Sequence, residues 1–250
     1  MGDAPIDYRA RIYRRYASLF QDAPATFDTG PADRWGRAYD YYMRGWLPRD
    51  KDAAIVDLAC GSGRLLHFFK QRGYTNLSGV DLSPEQVRLA RQVVASVTQD
   101  NVLAFLDTRR DSFDLITGLD IVEHFRKDEV LQFLDGCLGA LKCGGRLILQ
   151  TPNAESPWGT HLRYDDFTHE IGLGPNPITR LLLLAGGTDV VCREVGPVPR
   201  GYSPLSTLRW VLWQGIRQTL KAYNLVETGT TGSGVFTRVF MVTCKKAPLP

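Results

Sequence analysis

No run in the 250 residues approaches the ~18 apolar residues that a membrane-spanning helix needs. The N-terminal stretch MGDAPIDYRARIYRRY lacks the apolar segment of a secretory signal. Pro5 and Ile6 also fit a myristoylation signal at Gly2 poorly. Cysteines are few and odd in number (Cys60, Cys137, Cys143, Cys192 and Cys244) and form no CxxC pair. Reduced thiols and a cytoplasmic setting are therefore expected. A charge excess is missing as well: 30 basic against 27 acidic residues leave +3, too even for a general nucleic-acid binder. Neither an internal repeat nor a low-complexity segment is present. What remains is 44% hydrophobic and 23% charged, a composition that buries a real core within one large domain carrying additions.

Two regimes divide the chain. Residues 1–50 mix Arg, Asp and aromatics, and Ile12, Tyr16, Leu19, Phe20 and then Trp35, Tyr39, Tyr42, Trp46 suit amphipathic helices. A loop is expected at Asp22-Ala-Pro-Ala, and the whole reads as an N-terminal helical cap. From residue 51 strands and helices alternate. Strand-like runs cover 53–59, 77–82, 113–120, 146–152, 190–195 and 235–244. Helix-like runs cover 64–71, 84–96, 127–141 and 177–185. Ser83-Pro84 starts a helix, and Cys143-Gly144-Gly145 stops one. This rhythm predicts an α/β domain, a parallel sheet with helices on both faces. Insertions interrupt it at about 153–177 and 197–234.

Gly61-Ser62-Gly63 follows the first strand and opens a helix, a turn that lets backbone amides approach a ligand. Leu66 stands where the dinucleotide fingerprint needs its third glycine. Asp81 ends the second strand, where a carboxylate can accept both ribose hydroxyls of an adenosine. Asp57, on the first strand, would repel a pyrophosphate and attract an ammonium or sulfonium. S-adenosylmethionine (SAM) offers adenosine to Asp81 and a cationic amino-acid end to the first loop. Backbone amides, water or the ammonium can satisfy Asp57 there. The plainer alternative is a structural turn with Asp57 as a cap.

VDLACGSGRL followed by GVDLSPEQVRLAR resembles the first two motifs of class I SAM-dependent methyltransferases. The likeness continues through Gln99-Asp100-Asn101, SFDLITGLDIVEHF and LKCGGRLILQTPN, covering about residues 53–195. Ala59 departs from it, standing where many members carry Gly. The resemblance implies a Rossmann-like, seven-stranded, mostly parallel sheet whose last strand is antiparallel. It implies cofactor contacts at Asp57, Ala59, Gly61, Gly63, Asp81, Leu82, Asp100 (to the adenine amino group), Asn101 and Asp120. Asp120 and Glu123-His124 should lie near the methionine end and the acceptor.

A hydroxyl acceptor benefits from a base that takes its proton. His161-Leu-Arg-Tyr-Asp165-Asp166-Phe-Thr-His169-Glu170 follows the fifth strand, where such a sheet opens towards its ligand. His169 is the first candidate for the base and His124 the second, with Asp165 or Glu170 orienting. Alternatively these residues only tie a long loop together. No tight metal-ligand spacing appears, so no metal is assigned, a divalent ion on these histidines and acids being the lesser alternative. The Asp/Asn-Pro-Pro-aromatic run of amino-methylating DNA enzymes and the Pro-Cys nucleophile of cytosine-C5 enzymes are absent, and no basic tract with interleaved aromatics suggests RNA.

The 151–187 region with REVGPVPRG resembles, more loosely, bacterial methyltransferases of cell-surface polysaccharide biosynthesis. That implies O-methylation of a sugar, free, nucleotide-linked or lipid-linked. The rival acceptor is a quinone or other phenol, and the rival class a non-catalytic SAM-binding protein. Leu205, Leu208, Leu212, Ile216 and Leu220 form a helical stripe flanked by Trp210 and Trp213. Arg200, Arg209, Arg217 and Lys221 lie among them without an acid. Residues 205–223 therefore pack on the domain or a second copy, or rest on the inner face of an anionic membrane.

Overall fold

The computed structural model describes residues 8–20, 25–199 and 202–247. The expected loop at residues 22–25 falls mostly outside them, as do Arg200 and the extreme N-terminus. Seven strands form one sheet: β1 (Ile55–Leu58), β2 (Leu77–Asp81), β3 (Val97–Gln99), β4 (Phe113–Leu119), β5 (Leu141–Pro152), β6 (Gly187–Val195) and β7 (Val239–Lys246). Their order is β3-β2-β1-β4-β5-β7-β6. Only β7 runs antiparallel to its neighbours. This is the expected Rossmann-like sheet.

All four residues of β1 are buried, as a strand covered on both faces requires. Alternation then sorts the core into two layers. Ile55, Leu115, Ile148 and Met241 face α3 (Thr29–Tyr42), α4 (Arg64–Gln71) and α5 (Pro84–Ala90). Val56, Ile116, Leu147 and Val242 face α6 (Val102–Asp107), α7 (Lys127–Ala140) and α9 (Pro175–Leu184). Two short helices, α1 (Tyr8–Tyr13) and α2 (Tyr16–Phe20), precede these, and α8 (Gly159–Asp165) and α10 (Pro204–Thr228) complete the described helices.

Several boundaries differ from the sequence reading. The helix at 84–96 stops at Ala90, because Val93 and Val94 are β-branched and Arg91 turns back to donate two hydrogen bonds to the Val97 carbonyl. Strand β3 and helix α6, too short to carry a period, follow. The last strand begins at Val239 rather than 235, since the Val235 and Thr237 carbonyls accept from Asn153 Nδ2 instead of from a strand. The segment 153–177 contains α8 and is not wholly irregular. The α10 stripe is open: Leu205, Leu208, Leu212 and Ile216 are exposed, and only Ser206 of that helix is buried.

Candidate active site

Strand order reverses between β1 and β4, so their carboxyl ends part and leave a crevice. A cavity of 830 Å³ occupies it. Asp57, Ala59, Gly61, Asp81, Leu82, Asn101, Asp120, His124 and His169 all line it. Gly63 and Asp100 do not. Gly63, at φ +87°, begins α4, and a Cβ there would lie 3.0 Å from the Ala90 backbone, so its lack of a side chain serves helix packing. Asp100 turns its carboxylate to the Asn101 amide at 2.8 Å.

At the first loop, Ala59 adopts φ +52°, a left-handed conformation that strains a residue with a Cβ. Asp81 holds this loop: its Oδ2 accepts from the Gly61 amide at 2.9 Å and its Oδ1 from the Ser83 amide at 2.8 Å. Each oxygen keeps a further lone pair for a ligand. Asp57 pairs in register with Thr117 of β4, whose hydroxyl donates to Asp57 Oδ1 at 2.7 Å. Burial pushes the Asp57 carboxyl up to about 7; Thr117 opposes this and the Asp81 charge adds to it. Burial likewise raises Asp81 against its two amide bonds. The cost of two desolvated acids is what a cationic ligand would relieve.

Past β4, Asp120 sits at φ +54° and accepts from Gln150 Nε2 at 3.0 and 3.1 Å, while Tyr39 of α3 donates to Gln150 Oε1 at 2.9 Å. Residues 122–124 form one 3-10 turn. The Glu123 carbonyl accepts from the Glu170 and Ile171 amides, which brings His169 beside His124 with ring centroids 4.7 Å apart. His124 Nδ1 lies 2.8 Å from Thr168 Oγ1, and Thr168 donates to Asp166 at 2.6 Å. His169 Nδ1 meets the Leu162 carbonyl at 2.9 Å. Burial, with the neighbouring His169 charge, lowers His124 to about 4.

The orienting acids differ from those expected. Asp165 is exposed and pairs loosely with His161, at 3.8 Å. Its neighbour Asp166 reaches His124 through Thr168 instead, because the carboxylate caps the Thr168 amide in a tight turn. Glu170 turns away from both histidines. It accepts from Tyr8 and from Arg9, whose guanidinium also forks onto both oxygens of Glu129 at 2.9 Å. Hydrogen bonding from Tyr8 holds Glu170 below the usual carboxylate range. Tyr16 donates to Asp166, so α1 and α2 roof the crevice from the N-terminal side. Thr168, Asp166 and the Tyr8–Arg9 pair carried no local signal in sequence.

Residues 55–145 match a family model described as a methyltransferase domain. The chain carries a methyltransferase domain and uses SAM. It is 27% identical over 175 residues to a ubiquinone biosynthesis O-methyltransferase from Erwinia tasmaniensis, covering 54% of this chain and 71% of that protein. Against a small RNA 2'-O-methyltransferase of Mus musculus it is 29% identical over 130 residues, 46% of this chain but only 33% of that protein. The fold is shared with a SAM-dependent methyltransferase from Archaeoglobus fulgidus at TM-score 0.63 and 18% identity, covering 94% and 99% of the two chains. Among the described residues no helix is long and apolar enough to cross a membrane.

Proposed function

We propose that this domain transfers the SAM methyl group to a hydroxyl oxygen of a small, ring-bearing acceptor. Asp81 accepts the ribose hydroxyls, Leu82 and Asn101 flank the adenine, and Asp57 with the Gly61 loop faces the amino-acid end. The carrying observation is that His124 and His169 meet in the same cavity as Asp57 and Asp81. The sulfonium carbon–sulfur bond breaks as the carbon–oxygen bond forms, and S-adenosylhomocysteine leaves neutral at sulfur. The hydroxyl proton passes to an imidazole Nε2, the nitrogen that internal hydrogen bonds leave open. Alignment supplies the larger share of the acceleration and the base about 10²–10⁴-fold.

A phenolic hydroxyl fits this cavity better than the sugar expected from sequence. Of the polar loop at 161–170, His169 lines it but His161 and Asp165 lie outside, whereas Tyr13, Tyr16, Phe27 and Phe125 line it. The likeness to a ubiquinone O-methyltransferase supports the same choice. A lipid-linked sugar keeps one observation in its favour, the exposed stripe of α10 beside Arg209 and Lys221. Incubation of the protein and SAM with catechols, simple phenols, nucleotide sugars and lipid-linked glycans, read as S-adenosylhomocysteine formed, decides. Turnover with phenols alone is expected; turnover with sugars alone refutes the phenolic reading, and none with any hydroxyl acceptor refutes O-methylation.

A further inference from the structure

We infer that the outward face of α10 binds the same face of a second copy of this chain, the two helices running antiparallel about a two-fold axis. Eight large apolar side chains of this helix are between 45% and 89% exposed. Together they present on the order of 800 Å² of apolar surface, the area that one partner brings to a standard interface and more than a monomer usually leaves open in one patch. No α10 residue lines the cavity, so this surface is separate from the proposed active site.

Spacing selects the occupant. Leu208, Leu212, Gly215, Thr219, Ala222 and Val226 follow one another at alternating steps of four and three residues, and all six are exposed. Such steps keep one seam of a helix turned towards a neighbouring helix. In an antiparallel pair centred level with residue 217, Leu208 lies opposite the partner's Val226, Leu212 opposite the partner's Ala222 and Gly215 opposite the partner's Thr219. Each larger side chain faces a smaller one, and the small middle of the seam lets the two helices approach closely. Charge agrees with this arrangement. Arg209 and Glu227 are exposed and lie five turns apart on one flank of the helix. Two-fold symmetry brings each Arg209 beside the partner's Glu227, and each helix N-terminus beside the other's C-terminus.

A lipid surface suits the same face less well. Trp210 and Trp213, which could anchor in a bilayer interface, are partly buried on the inner side of α10. Trp213 Nε1 donates to Glu194 at 3.2 Å, and Arg217 pairs with the same carboxylate at 3.1 Å. The aromatic and basic side chains of a surface-lying helix are thus spent on the protein itself, while Gly215, Thr219 and Ala222 offer lipid little apolar surface.

The test is sedimentation equilibrium of the full chain, with vesicles of equal phosphatidylglycerol and phosphatidylcholine as a second arm. Wild type is expected at twice the chain mass, with no binding to the vesicles. A Cβ on Gly215 would meet nothing within 4 Å in its own chain, so Gly215→Leu spares the fold and blocks only the close approach. It is expected to raise the dimer dissociation constant about tenfold or more. Arg209→Glu and Glu227→Arg are each expected to raise it several-fold, and the double variant to restore it. SAM affinity of every variant is expected to hold, since the single chain keeps its own core and these changes alter association alone. A wild-type monomer at every concentration overturns the inference. So does a dimer that all three single variants leave unchanged, or a charge swap that restores nothing. A monomer whose vesicle binding Gly215→Leu strengthens assigns the face to lipid and overturns it equally.

Discussion

The two ends of the cavity are built differently. The end at β1 and β2 is assembled from neighbours along adjacent strands: Asp57 meets its register partner Thr117, and Asp81 clamps the loop that follows Asp57. The end at His124 and His169 is assembled from afar. Its roof reaches across 162 residues from Tyr8 to Glu170, 150 from Tyr16 to Asp166 and 120 from Arg9 to Glu129. The proposed cofactor cradle is held by backbone amides on Asp81 and a cross-strand hydroxyl on Asp57, whereas the proposed acceptor end is held by side-chain contacts between segments far apart in the chain. In the proposed reaction the methyl group passes where the two meet.

The sharpest way to separate the ends is His169→Ala. Turnover is expected to fall about 10²–10⁴-fold with SAM affinity retained; wild-type turnover removes His169 from the chemistry. Asp81→Ala inverts the pattern. Loss of charge-assisted bonds to ribose and to the loop is expected to weaken SAM binding about a hundredfold, read by calorimetry. Unchanged affinity contradicts the cradle. Arg9→Ala touches only the roof. Acceptor KM is expected to rise several-fold while SAM affinity holds; a change confined to SAM would place α1 over the wrong end.

Asp57 tests the cradle without any substrate. Its folded-state value of about 7 stands above that of an unfolded carboxyl, so the free protein carries an extra proton when folded. This stabilisation is full below the unfolded value and is lost as pH rises through 7. Tm of the SAM-free protein is therefore expected to fall between pH 5 and 8, by an amount that Asp57→Asn markedly reduces. An unaltered slope in the variant argues against a strained carboxyl. Smallest of all, Leu208→Ser with Leu212→Ser on exposed α10 is expected to shift stability by no more than ~0.5 kcal/mol and to spare activity with soluble acceptors. A drop in oligomeric mass or in vesicle binding would show what covers that stripe.

The difference between the ends also explains what could be read from the sequence. Strands at 53–59 and 77–82, each ending near an acid beside a glycine loop or helix start, write the sheet and the cradle in continuous local patterns. His124 and His169 were legible as candidates because histidines are few and both follow strand ends. Their partners were not. Asp165 and Asp166 are adjacent acids, and only the turn around Thr168 decides which one faces inward. The meeting of His169 with His124 depends on the pairing of residues 170 and 171 with the Glu123 carbonyl, a contact with no sequence period. Strand β3, three residues long, and α6 fell below the length at which alternation or helical spacing can be counted.

Co-crystallisation with S-adenosylhomocysteine tests the central claim most directly. The account predicts ribose oxygens on Asp81, the amino-acid end beside Asp57 and the Gly61 loop, and the sulfur on the side facing His124 and His169. A ligand bound in the same cavity with its sulfur turned towards β3, or one seated away from both aspartates, would contradict it.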